Sequence, residues 1–195
     1  MVKMKKIIFA LLTLLSDMFA LSDGDIVFQT SLSSQSKAIQ LATKSKYSHV
    51  GIVFKEAGEY YVFEAVQPVK KTPLNEWIKR GKDGKFVALR LKNDQLSAKT
   101  LSKMKKIAAS YLGKDYDLTF EWSDDKIYCS EFVWKVYEQG ANIKVGKLQK
   151  LGDFDLSSKA VKAKLKERFG DNIPLNETVI SPAAIFESEL LEKVK

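Results

Sequence analysis

The chain of 195 residues holds one cysteine and one histidine, and each sits where chemistry could use it. Cys129 opens Cys129-Ser130-Glu131-Phe132-Val133-Trp134, an apolar-faced segment. His49 opens His49-Val50-Gly51-Ile52-Val53-Phe54, a β-rich run. A thiolate, not a thiol, is the nucleophile, and a neighbouring imidazole is the usual means of making one at neutral pH. With one of each in the chain, any cysteine–histidine pair within it must be this pair.

Position sharpens the case. Cys129, Phe132, Val133, Val136 and Tyr137 recur at helical spacing and form a core-facing stripe. Cys129 is then on the buried face but in the first turn, where unsatisfied N–H groups and the helix dipole favour an anion. A cysteine kept only as a small hydrophobe would more often sit mid-helix. A lone strand histidine is more often structural, but Glu64 lies in Tyr61-Val62-Phe63-Glu64-Ala65. A tight turn near Ala57-Gly58 would bring residues near 64 opposite residues near 50. A glutamate among apolar strand residues is costly unless paired. As the third group it would hold the imidazole tautomer and stabilise the imidazolium. Tyr116, in Gly113-Lys114-Asp115-Tyr116, could donate to a developing oxyanion together with the Cys129 N–H; packing on a turn is the alternative for this tyrosine.

The elements that must position these groups follow from the pattern. Gly24 to Gln29 reads as a strand behind a turn, with Ser33 or Ser34 capping a helix through Ala42. His49–Phe54 and Tyr60–Ala65 form an antiparallel hairpin. Thr72 caps a short helix with Pro73 at its first position, and Phe86–Leu91 is a third strand. Ser97 caps a longer helix stopped by Gly113, and the cysteine helix ends at Gly140. A helix over 158–169, a strand around 178–180 and a helix after Pro182 complete a single α+β domain with an antiparallel sheet.

Composition is ordinary for a globular chain, at 45% hydrophobic and 29% charged, with a net charge of +8. Residues 1–22 read as an export signal: Lys3, Lys5 and Lys6 precede an apolar run from Ile7 to Leu15, too short for the ~20 residues that span a bilayer. Ala20-Leu21-Ser22 allows cleavage before Asp23, leaving 23–195 as one soluble, periplasmic domain without a transmembrane segment; cleavage after Ala20 is the alternative. One cysteine cannot form an internal disulfide, and one cysteine with one histidine cannot supply a typical zinc site, so neither metal nor organic cofactor is expected. Scattered lysines without an arginine stripe argue against nucleic acid.

Gly24-Asp25-Ile26-Val27-Phe28, Tyr47-Ser48-His49-Val50-Gly51, Phe63-Glu64-Ala65 and Tyr128-Cys129-Ser130-Glu131, in this order, resemble the permuted papain-like amidases of the NlpC/P60-type superfamily, in their YiiX/YaeF-type branch. In unpermuted relatives the histidine strand follows the cysteine helix; here His49 precedes Cys129 by 80 residues. The resemblance runs from about Gly24 to Ile185 and implies a circularly permuted papain-like fold with the nucleophile at a helix N-terminus. It also implies Cys129 as nucleophile, His49 as general base and acid, Glu64 as the orienting acid and Tyr116 as an oxyanion donor, the last resting on the unpermuted relatives. The activity implied is cleavage of an amide in a peptide or wall fragment through a thioester. A lipid-directed thiol esterase or acyltransferase, or a non-catalytic binding module, are the alternatives.

Overall fold

The computed structural model describes residues 21–94 and 96–195, so the expected leader lies outside the described residues except for Leu21 and Ser22. Strand β1 (Ile26–Gln29) is wholly buried, and helix α1 (Ser36–Thr43) follows it. The residue at the start of α1 is Gln35, not Ser33 or Ser34, and its side chain makes no cap. Strands β2 (His49–Glu56) and β3 (Glu59–Glu64) form the expected hairpin. Its two-residue turn has Ala57 and Gly58 both at positive φ, 49° and 91°, the geometry that matches the twist of the flanking strands.

Strand β4 (Lys70–Pro73) pairs with β3 and runs directly into helix α2 (Leu74–Arg80). Thr72 therefore lies in a strand and does not cap the helix. Strand β5 (Val87–Leu91) pairs with β1. Helix α3 (Ala98–Ser110) is capped by Ser97, whose hydroxyl accepts from Thr100 N–H at 3.1 Å. Helix α4 (Cys129–Ala141) runs through Gly140 and ends at Asn142 in the left-handed conformation, φ 57°. Gly140 serves a close helix crossing instead: a Cβ there would lie 2.4 Å from Met104 Cγ and 2.9 Å from Met104 Cα.

The last third contains β6 (Gln149–Lys150), α5 (Lys159–Phe169), β7 (Thr178–Val179), α6 (Pro182–Phe186) and β8 (Leu191–Lys193). Among the described residues the main sheet has six strands in the order β4-β3-β2-β1-β5-β8, and all its neighbours are antiparallel. β6 and β7 make a separate pair.

Alternation divides the sheet into two apolar faces. Ile26, Phe28, Val50, Ile52, Phe54 and Phe63 pack with Met104, Phe132 and Val136 of α3 and α4. Val27, Val53, Val62 and Ala88 pack beneath Trp77 of α2. Leu21 is buried in this second group, and its carbonyl accepts from the Tyr60 hydroxyl. The first strand is pinned where it begins. The Asp25 carboxylate takes two hydrogen bonds from Arg90, at 2.7 and 2.8 Å, and one from Ser22 N–H at 2.8 Å.

Because Met104 backbone faces Gly140, Gly140→Ala must push α3 from α4. We expect it to cost about 1–3 kcal/mol, read as a lowered urea midpoint.

Candidate active site

His49 is the first residue of β2, at the end of the sheet, and shares a face with Gly51 and Val53. On β3 the same face carries Val62 and Glu64. Ile52 pairs with Phe63, so Gly51 lies beside Glu64 and His49 is one same-face step further on. Gly51 keeps this region open. A Cβ there would fall 2.5 Å from Val62 Cγ1 and 3.4 Å from Glu64 Cβ. His49 Nε2 meets Glu64 Oε2 at 2.6 Å, and the Trp77 ring packs 6.2 Å from the imidazole, centroid to centroid.

Glu64 is fully buried, which for a charge is tolerable only with partners. It has three. His49 holds Oε2, while the Thr72 hydroxyl, at 2.6 Å, and the Arg80 guanidinium both donate to Oε1. Burial works to raise the carboxyl, but the hydrogen bonds and charges of His49, Thr72 and Arg80 outweigh it and bring the pKa down to about 2. Burial likewise opposes the imidazolium, but Cys129 and Glu64 outweigh it and raise His49 to about 9. Stability from the histidine is complete below its usual 6.5 and is lost as pH rises through about 9. Stability from the glutamate is complete above its usual 4.5 and is lost as pH falls through about 2.

Cys129 comes from the other side of the sheet, as the first residue of α4. Its neighbours fix the start of that helix. The Tyr128 hydroxyl accepts from Ile180 N–H at 3.0 Å, and the Ser130 hydroxyl donates to Ile180 C=O at 2.8 Å. Glu131 reaches back to Tyr128 N–H at 3.3 Å. With Nε2 of His49 on Glu64, the remaining ring nitrogen is the one left to face Cys129, whose proximity favours the imidazolium. The helix dipole contributes at most ~2 kcal/mol to an anion.

Tyr116 also lies beside Cys129, the two lining one apolar pocket. Burial, then the charge on Cys129, push its hydroxyl well above the usual phenol range, so it stays protonated as a donor. Gln67 sets its backbone, with Oε1 accepting from Tyr116 N–H at 2.7 Å and Nε2 donating to Asp115 at 2.6 Å. All four residues singled out from the sequence are thus brought to one place. Thr72, Arg80 and Gln67 were not singled out. A signal did exist for Arg80: only three of the 32 basic residues are arginines, Arg80, Arg90 and Arg168, and each is held in a side-chain network. A rigid guanidinium fork among flexible lysines marks places where geometry matters.

Two cavities meet at Tyr116. A groove of about 700 Å³ runs past Ser33, Gln35, His49, Gln67 and Arg80. A narrow apolar pocket of about 90 Å³, lined by Ile39, Phe120, Leu151, Phe154 and Val179, reaches Cys129 from the other side. Among the described residues, no group of three or more His, Cys, Asp or Glu side chains could hold a metal ion.

Residues 20–195 match the family described as permuted papain-like amidase enzymes, YaeF/YiiX, C92 family. The chain is 56% identical over 171 residues to the uncharacterized protein YiiX of Escherichia coli strain K12, covering 88% of this chain and 84% of that one. It is also similar to the crystal structure described as metalloprotein YiiX from Escherichia coli O157:H7, with a TM-score of 0.86 and 55% identity over 89% of this chain and 96% of that one. A helix-borne cysteine that follows its strand-borne histidine in the chain, together with a match across nearly every described residue, leads to one assignment: the protein belongs to the C92 family of permuted papain-like amidases.

Proposed function

We propose that this protein is a cysteine hydrolase that cleaves an amide bond, in a peptide or wall fragment, through a thioester. The observation that carries the reading is the buried His49–Glu64 pair, with Cys129 close enough to act on the imidazole, beside a groove that His49 lines. His49 draws the proton from Cys129, or the pair rests as thiolate and imidazolium. The sulfur attacks the substrate carbonyl, and the oxyanion is held by the Cys129 N–H, free in the first helical turn, and by Tyr116. His49 then gives its proton to the leaving amine and draws one from the water that releases the acyl group. Glu64 keeps the ring oriented and the imidazolium favourable.

Cavity size bears on the substrate. The 700 Å³ groove falls within the roughly 300–1,000 Å³ usual for ligand sites, and the 90 Å³ pocket falls well below it. The pocket therefore suits one short apolar group next to the scissile carbonyl, and the groove, where Leu32, Val66 and Leu118 stand beside Gln35, Gln67 and Arg80, has room for the rest of a peptide-like substrate. A lipid-directed esterase or acyltransferase draws its support from the apolar lining beside Cys129 and requires that pocket to lengthen. One relative is described as a metalloprotein. The donor set here does not fit a metal at the catalytic residues, since both Glu64 oxygens are taken by protein donors.

We also propose export to the periplasm, with cleavage between Ala20 and Leu21 and not before Asp23. Loss of Leu21 would uncover Val27, Val53 and Trp77 and strand the Tyr60 hydroxyl. Mass spectrometry of the exported protein should find Leu21 at the N-terminus; a start at Asp23 would overturn this.

Iodoacetamide should label Cys129 at pH 6 far faster than it labels free cysteine, and His49→Ala should slow that reaction at least about tenfold. An unchanged rate removes the base from the mechanism. Glu64→Gln should lower turnover by at least about tenfold with the fold retained, and should shift the alkaline limb of the kcat/KM profile from near 9 to lower pH. A limb that stays in place would assign Glu64 to structure alone.

A further inference from the structure

Building on the thiol-hydrolase reading above, we propose that Gln35 and Arg168 are positioning residues that fix the direction of the Tyr116 hydroxyl, holding its proton on the side of Cys129.

Hydrogen-bond polarity sets that direction. The Arg168 guanidinium donates to Gln35 Oε1. A guanidinium has donors and no acceptor, so the end of the amide it meets must be the oxygen. The two ends of a glutamine amide have nearly the same shape, and only their partners decide which is which. Here the partner leaves no choice. The far end is the NH2 group, which can only donate, and it lies 3.0 Å from the Tyr116 hydroxyl oxygen. Tyr116 must accept at that contact. A phenol carries one proton, and it is then left for the other side, where Cys129 lines the same pocket as Tyr116. When a carbonyl is attacked, the same proton faces the oxygen on which charge develops.

The framework around this relay is built to hold it. Gln35 stands at the N-cap position of α1, where serine, threonine, aspartate or asparagine would serve the helix better, and its side chain makes no cap bond. Arg168 lies in the last turn of α5, with its guanidinium 4.7 Å from the centre of the Phe120 ring. The two helices are tied by their own small apolar core of Ala38, Leu151, Val161 and Leu165, which sets the separation between Gln35 and Arg168. The lysine-rich α5 thus carries one arginine toward the site, while its lysines face away or are partly exposed.

The test exploits the only thiol in the chain. The pH dependence of iodoacetamide labelling is measured on the folded protein and on Gln35→Met, Gln35→Glu, Tyr116→Phe and the double variant Gln35→Glu with Tyr116→Phe, with melting curves to show that each is folded. A glutamate presents only acceptors, so it draws the Tyr116 proton away from the sulfur; methionine merely releases the hydroxyl. We expect Gln35→Glu to cut the labelling rate at pH 6 by about tenfold and to move the midpoint of the profile to higher pH, with Gln35→Met in between. In the Tyr116→Phe background the change to glutamate should lose most of its effect, because the hydroxyl it acts through is gone. A methionine variant as slow as the glutamate one, or a glutamate effect undiminished in the Tyr116→Phe background, would overturn the relay. If the unaltered protein labels no faster than free cysteine at pH 6, the thiol-hydrolase reading itself falls, and that result is distinct from either of the others.

Discussion

A carboxylate with no exposed surface lies at the centre of this structure, and the surrounding elements are arranged so that it can be there. Glu64 has shed its hydration, and the loss is offset only by the donors that His49, Thr72 and Arg80 bring from β2, β4 and the end of α2. An uncompensated buried ion of this kind costs several kcal/mol, on the order of a domain's whole stability margin. Folding of the β2–β3 hairpin, the added strand β4 and the helix that follows it are therefore coupled to one another through a single charge. The imidazole is one of the partners that make the charge tolerable, so its orientation comes from the same balance that keeps the hairpin together.

The thiol arrives by a separate route. α4 packs on the opposite face of the sheet from Trp77 and α2, and Cys129 meets His49 only at the sheet end, where the strands stop intervening. Register within the sheet cannot set that meeting. It depends on where α4 begins, and two residues flanking the cysteine fasten that point to both main-chain groups of Ile180. The segment leading from β7 into α6 thus acts as a stop against which the nucleophile is placed, although it contributes no group to the chemistry.

Much of this was legible in the residues. The hairpin followed from alternation and the Ala57-Gly58 turn, α4 from its apolar stripe, and the cap at Ser97 from residue type. What escaped was decided by partners distant in the chain. Thr72 has the look of a helix cap until Glu64 claims its hydroxyl. Gly140 has the look of a stop until Met104 lies across it. Gln35 resembles any solvent-facing amide until Arg168 fixes its two ends. β4 and β8 are too short, and too rich in charge, to announce themselves by pattern, and exist because β3 and β5 offer them an edge. Local propensity is a weak signal, and tertiary contacts override it at such positions.

Those two short border strands have a consequence for how copies of the molecule behave in a crowded solution. Open sheet margins are templates for another chain, and long flat apolar ones lead to aggregates. Here one margin is four residues bearing the exposed pair Lys70 and Lys71, and the other is three residues bearing exposed Glu192 and Lys193. Neither offers a run on which a neighbour could zip up without confronting charge. Self-association by strand addition is thereby discouraged at both borders, and a partner seeking this protein must approach by some other surface.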